Sequence, residues 1–199
     1  MVRPDIVIAA LGAAIVVGAV AGARRPTIPS AEVRAFRAVN GLPDWLFWIF
    51  WAPMQLGNLV VGAVVGLLVA WAVGSWRVAV GVVAATVAKL VVERLVRREI
   101  SSYLEVRQRP GTSQPGAHFR GADVPRQGPS FPSGHVILVA AVGTVLTNEL
   151  PASIVWIPFA CALLVALGRV YVGAHNPLDV TAGLGAGLVI GGIVSILLF

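Results

Sequence analysis

Six apolar runs and one long polar stretch limit what this chain can fold into. The runs are roughly Ile6–Ala23, Gln55–Val73, Val78–Val96, Ser133–Leu146, Ile154–Leu167 and Val180–Leu198. About 20 apolar residues in a helix cross the ~30 Å hydrocarbon core of a bilayer, and a helix satisfies its own backbone there. The fourth and fifth runs are short, but each continues into polar residues that belong at a surface. With 57% hydrophobic and only 12% charged residues, the chain has too few polar side chains for a soluble globule. The pattern predicts an all-α, polytopic membrane bundle of about six transmembrane helices, forming one membrane-embedded domain over residues 1–199.

The remaining segments fit that frame. Residues 97–132, rich in Arg, Gly, Pro, Ser and Gln, form the one substantial extramembrane loop, between the third and fourth runs. A loop this long in a compact fold is usually functional, and this one is expected to carry part of the site. Ser30–Asn40 is predicted to be a short surface helix, and Trp45, Trp48 and Trp51 an aromatic belt at the headgroup level. Glycines 183, 185, 187, 191 and 192 suit close contact between helices. The run Ile6–Ala23 is too long for a signal-peptide core and is taken as a retained helix. Cys161 is the single cysteine, so no disulfide framework exists. The net charge of +6 comes from fourteen arginines and Lys89, reflects a GC-rich coding bias, and implies no nucleic-acid partner.

Two short segments hold the chemistry. Pro132-Ser133-Gly134-His135 opens the fourth run. Arg169 lies six residues before His175 and Asp179 four after it, between the fifth and sixth runs. Counting spans brings His135, Arg169, His175 and Asp179 to one membrane face. These residues resemble the type 2 phosphatidic acid phosphatase superfamily, the membrane lipid phosphate phosphatases. That family's pattern is Lys-x6-Arg-Pro, then Pro-Ser-Gly-His, then Ser-Arg-x5-His-x3-Asp. The second part is matched letter for letter, and the third with Gly168 in place of serine.

The resemblance implies a metal-independent phosphatase without a cofactor, acting on a lipid phosphate or diphosphate in the bilayer. Polyprenyl phosphates or diphosphates, phosphatidic acid and phosphatidylglycerol phosphate are the substrate classes it offers. His175 would attack phosphorus, Asp179 would accept its other ring N–H, and His135 would protonate the leaving oxygen. Arg169 and Arg109 would grip the phosphate oxygens. Ser133 and Gly134 would offer backbone N–H groups at a helix start, with Pro132 in the first turn. Each has an ordinary alternative: Asp179 as a capping residue after Asn176-Pro177, Ser130 or Ser133 as a helix cap, a histidine as a solvated group. His118, in the loop near Arg120 and Arg126, matches no motif and is taken as solvated.

The first part of the pattern departs from the family. Lys89 and Arg109-Pro110 are twenty positions apart, about 30 Å along a continuous helix. Either the chain folds back and brings Arg109 to Lys89, or Arg98 or Arg107 replaces the lysine, or Arg97 is the arginine equivalent. Lys89 is also placed to pair with Glu93 at i+4. The family places such sites on the outer side of a membrane, here the cytoplasmic membrane of a bacterium, whereas Arg24, Arg25, Arg34, Arg37 and the loop arginines favour a cytoplasmic face. A lipid phosphotransferase with the same histidine chemistry and a non-catalytic membrane module are the competing readings.

Overall fold

The computed structural model describes residues 3–25, 27–100, 107–122 and 124–199, with 97–100 as backbone only. The side chains of Arg97 and Arg98, two of the alternatives for the first motif, thus lie outside the described residues. The helices are α1 (Pro4–Ala23), α2 (Ser30–Asn40), α3 (Phe47–Met54), α4 (Leu59–Ala72), α5 (Trp76–Ile100), α6 (Pro110–Ser113), α7 (Gly134–Leu146), α8 (Ile157–Tyr171) and α9 (Pro177–Leu198). Among the described residues the one β feature is an isolated bridge between Gln108 and Pro129. The all-α class holds, and each apolar run supplies a helix or most of one.

The span count is less simple than six. By length and composition, α1 and α9 can each cross a bilayer, and a third crossing arises if residues 44–72 count as one span bent by 78°. α7 and α8 are apolar but shorter. The bend has a local cause. Asn58 accepts hydrogen bonds from the N–H groups of Val60 and Val61, capping α4 and starting it in a new direction. Its neighbour Gly57 is thereby brought against the His135 side chain.

α9 is the centre of the bundle, packed between α1 and α7. Its glycines do this on two faces. A Cβ at Gly183, Gly187 or Gly191 would collide with α7, and one at Gly185 or Gly192 with α1. Small residues therefore let three backbones touch, as the sequence suggested.

α2 forms over the expected residues but is more than a surface helix. Phe36 is 1% exposed and packs against Val136, Val165 and Val170, while Glu32 and Asn40 are buried as well. Trp45, Trp48 and Trp51 are exposed, consistent with a belt at the headgroup level.

Candidate active site

The helix ends converge. The C-terminal part of α5, the start of α7, the end of α8 and the link to α9 surround a cavity of about 340 Å³. Lys89, Arg109, Arg169, His135, His175 and Gly134 all line it. Of the three readings of the first motif, the fold-back therefore describes the geometry. α5 ends at Ile100, and residues 107–110 return so that Arg109 and Lys89 reach one pocket despite their separation in sequence. Lys89 also makes the i+4 pair with Glu93, at 2.6 Å. The Glu93 carboxylate lies 2.4 Å from where a Cβ on Gly134 would be, so a larger residue at the start of α7 would displace that side chain from its place beside Lys89.

Four expectations need correction. Pro132 is not in the first turn: α7 starts at Gly134 after the N-cap Ser133, and Pro132 precedes both, following a cis peptide bond. The Ser133 N–H does not point at the pocket, because it donates to the Asp179 carbonyl at 3.0 Å. Arg107 does not replace the lysine. Its guanidinium is buried between Glu32 and Asp179, at 2.8 Å from each.

The fourth correction concerns His175 itself. Asp179 does not take its ring proton directly, for Nδ1 is 3.9 Å from Asp179 Oδ2. Nδ1 lies 2.8 Å from the Ser130 carbonyl oxygen, which can only accept. The proton therefore sits on Nδ1, and Nε2 keeps the lone pair. Asp179 reaches the ring through the same serine, whose hydroxyl donates to Oδ2. The Asn176 N–H donates to Oδ2 as well, at 2.8 Å, so Asp179 also closes the capping box of α9.

His175 is 3% exposed. Burial pushes its proton affinity well below the ordinary histidine value, Arg169, Arg109 and His135 push it further, and the Ser130 bond opposes them. The ring is thus neutral, the form in which nitrogen is a nucleophile.

The link holding His175 is fixed from both sides. Gly173 adopts φ +80°, and a Cβ there would meet the His118 carbonyl at 2.6 Å. Arg109 donates to the Ala174 carbonyl at 2.9 Å, and Gln114 to Asn176 Oδ1 at 2.9 Å. Arg120 donates to the carbonyls of Asn40, Tyr171 and Leu42 and lies over the Tyr171 ring. The His118 side chain is exposed, but its backbone is tied to Asn40 on both its N–H and carbonyl. Gly168, where the family pattern has serine, packs on Met54, and a Cβ there would lie 2.8 Å from that side chain.

Sequence reasoning missed Glu32, Gly57 and the second role of Ser130. Nothing local to Glu32 marks it: it is an ordinary first-turn acid until α2 docks. The sequence marks Ser130 only as a candidate helix cap.

Comparison with known proteins bears on family and fold. The family model of the PAP2 superfamily matches residues 78–199. An undecaprenyl-diphosphatase of Sulfolobus acidocaldarius is 43% identical over 54 residues, 27% of this chain and 26% of that protein. The match thus spans about a quarter of the length of that relative. The crystal structure of Aquifex aeolicus LpxE superposes with a TM-score of 0.68 at 24% identity, covering 84% of this chain and 96% of that one. That of a transmembrane PAP2-type phosphatidylglycerolphosphate phosphatase from Bacillus subtilis gives 0.68 at 22%, covering 94% and 95%. At those identities the two structures speak for the fold.

Proposed function

We propose that this chain, which belongs to the PAP2 superfamily, is an integral membrane phosphatase that hydrolyses a lipid phosphate or diphosphate through a phosphohistidine at His175. The observation that carries the reading is the Nδ1–H bond to Ser130, which leaves Nε2 with its lone pair in a cavity lined by Lys89, Arg109 and Arg169. In the first step Nε2 attacks phosphorus and the bond to the lipid oxygen breaks. Protonated His135 gives its proton to that oxygen, and the product is a phosphohistidine cation that keeps its proton on Nδ1, bonded to the Ser130 carbonyl. In the second step His135 takes a proton from water, the resulting hydroxide oxygen bonds to phosphorus, and the P–N bond breaks to release phosphate. The cations offset charge on the equatorial oxygens in both steps. Gly134 lets the phosphate approach the start of α7.

The site lies at one end of the apolar helices, so the lipid tail stays in the bilayer while the headgroup reaches His175 and His135. Substrates of this shape include polyprenyl phosphates and diphosphates, phosphatidic acid and phosphatidylglycerol phosphate. The undecaprenyl-diphosphatase likeness covers only 54 residues and favours the polyprenyl class.

The test is phosphate release by the detergent-solubilised protein from a panel of these lipids, with excess chelator and with His175→Ala in parallel. Release that survives chelation and disappears in the variant supports the reading. Absence of release from every lipid, or release that depends on an added acceptor alcohol, overturns hydrolysis.

A further inference from the structure

We infer that Glu32, on α2, is a positioning residue for the reaction at His175, acting through Arg107 and Asp179. The inference rests on the hydrolase reading above. Glu32 lies outside the segment that the family model matches, and no motif contains it. Its side chain is 5% exposed, that of Arg107 2% and that of Asp179 0%.

Glu32 takes two corners of the Arg107 fork, with Nη1 to Oε2 at 2.9 Å and Nη2 to Oε1 at 2.8 Å. The fork is planar and rigid, so fixing two corners aims the remaining Nη2 proton at Asp179 Oδ1, 2.8 Å away. Oε1 also accepts the Leu178 N–H at 2.9 Å. One carboxylate thereby holds both the cation that faces Asp179 and the helical turn that carries it. Burial opposes the charge on Arg107, but the bonds and fields of Glu32 and Asp179 outweigh it, and the guanidinium is held above its ordinary range.

The charge count gives this arrangement a function beyond a staple. With both carboxylates ionised, as their bonds to Arg107 favour, two of them flank one guanidinium and the cluster carries a net charge of −1 deep in the protein. That excess lies behind the His175 ring, whose Nδ1 is 3.9 Å from Asp179. The groups that face His175 from the other elements are Arg169 on α8, Arg109 before α6, His135 on α7, and the Lys89–Glu93 pair on α5. Phosphorylation makes the ring cationic amid these arginines, and a negative excess on the opposite side stabilises that cation. Without Glu32, Arg107 would neutralise Asp179 and the excess would vanish.

The test compares whole protein in detergent micelles as wild type, Glu32→Gln, Arg107→Gln and the double variant. Two readouts are taken: the titration of the His175 ring by ¹⁵N NMR, and steady-state lipid phosphate hydrolysis. Glu32→Gln brings the cluster to zero and should lower the His175 titration, with kcat down about 10–100-fold and KM little changed. Arg107→Gln brings it to −2 and should raise the titration. The double variant returns it to −1, with a titration near wild type and a kcat above that of Glu32→Gln. Single variants that shift His175 in the same direction, or leave it unmoved, reduce Glu32 to a structural staple and overturn the inference. If Glu32→Gln fails to fold, the rise expected in Arg107→Gln and its reversal in the double variant still supply the test. Titrations that behave as expected in a protein that hydrolyses no lipid phosphate overturn the proposed function and leave the charge coupling standing.

Discussion

Arg107 and Arg109 are two residues apart and carry the same fork, yet they sit on opposite sides of His175 and do different work. Arg109 lines the cavity and braces the Ala174 carbonyl. Arg107 is buried between two carboxylates and does not line that cavity. The pocket side of the histidine is rich in cations and suits an anionic group. The far side is a closed network that fixes where Asp179 and Ser130 stand. Residue type therefore says little about role here, and the nearest carboxylate says more.

Variants should separate the two sides. His175→Ala should abolish hydrolysis, by at least about 10⁴-fold in kcat, as removal of a covalent nucleophile does in other enzymes. Arg169→Gln on the pocket side should lower kcat/KM by roughly 10²–10³-fold, the usual effect of losing one donor to developing negative charge. Arg107→Met on the far side should appear first as lost stability, about 3–5 kcal/mol, because it leaves Glu32 and Asp179 buried without their partner. Chemical denaturation in micelles would show whether the two arginines differ in this way. Equal stability losses would erase the distinction.

The pH profile sharpens the same contrast. Burial first, then Arg169, Arg109 and His135, depress the proton affinity of His175. The neutral, nucleophilic ring therefore persists through the ordinary histidine range, and the acid limb of kcat/KM that belongs to it should fall below that range. In Arg169→Gln the limb should move up. For stability the sign is the same. The unfolded chain takes up the proton first, so stability should fall as pH drops from the ordinary histidine value to the depressed one, with no contribution above.

The smallest effect tests the departure from the family pattern. Gly168→Ser restores the family residue but sets a Cβ 2.8 Å from Met54. A loss of about 1–3 kcal/mol is expected from overpacking. Pairing it with Met54→Ala should recover most of that loss.

The helices were legible because apolar runs and the glycine spacing of α9 are local signals. His135, Arg169 and His175 were legible because a motif fixes their spacing and span counting brings them to one face. The fold-back that unites Lys89 with Arg109 stood among three alternatives, since the nineteen intervening residues carry no signal for a reversal. The Ser130 carbonyl under His175 was not legible at all, because a backbone acceptor has no residue type. Glu32 was hidden for a related reason: its partners, Arg107 and Leu178, are 75 and 146 positions away.

The most direct test of the central claim is a rapid quench during turnover of a lipid phosphate, followed by mass spectrometry of the whole protein and its peptides. A phosphoryl group on His175, stable to base and labile to acid, and missing in His175→Ala, is the result expected. Turnover with no phosphoryl group on the protein, or with the group on His135, would contradict the account.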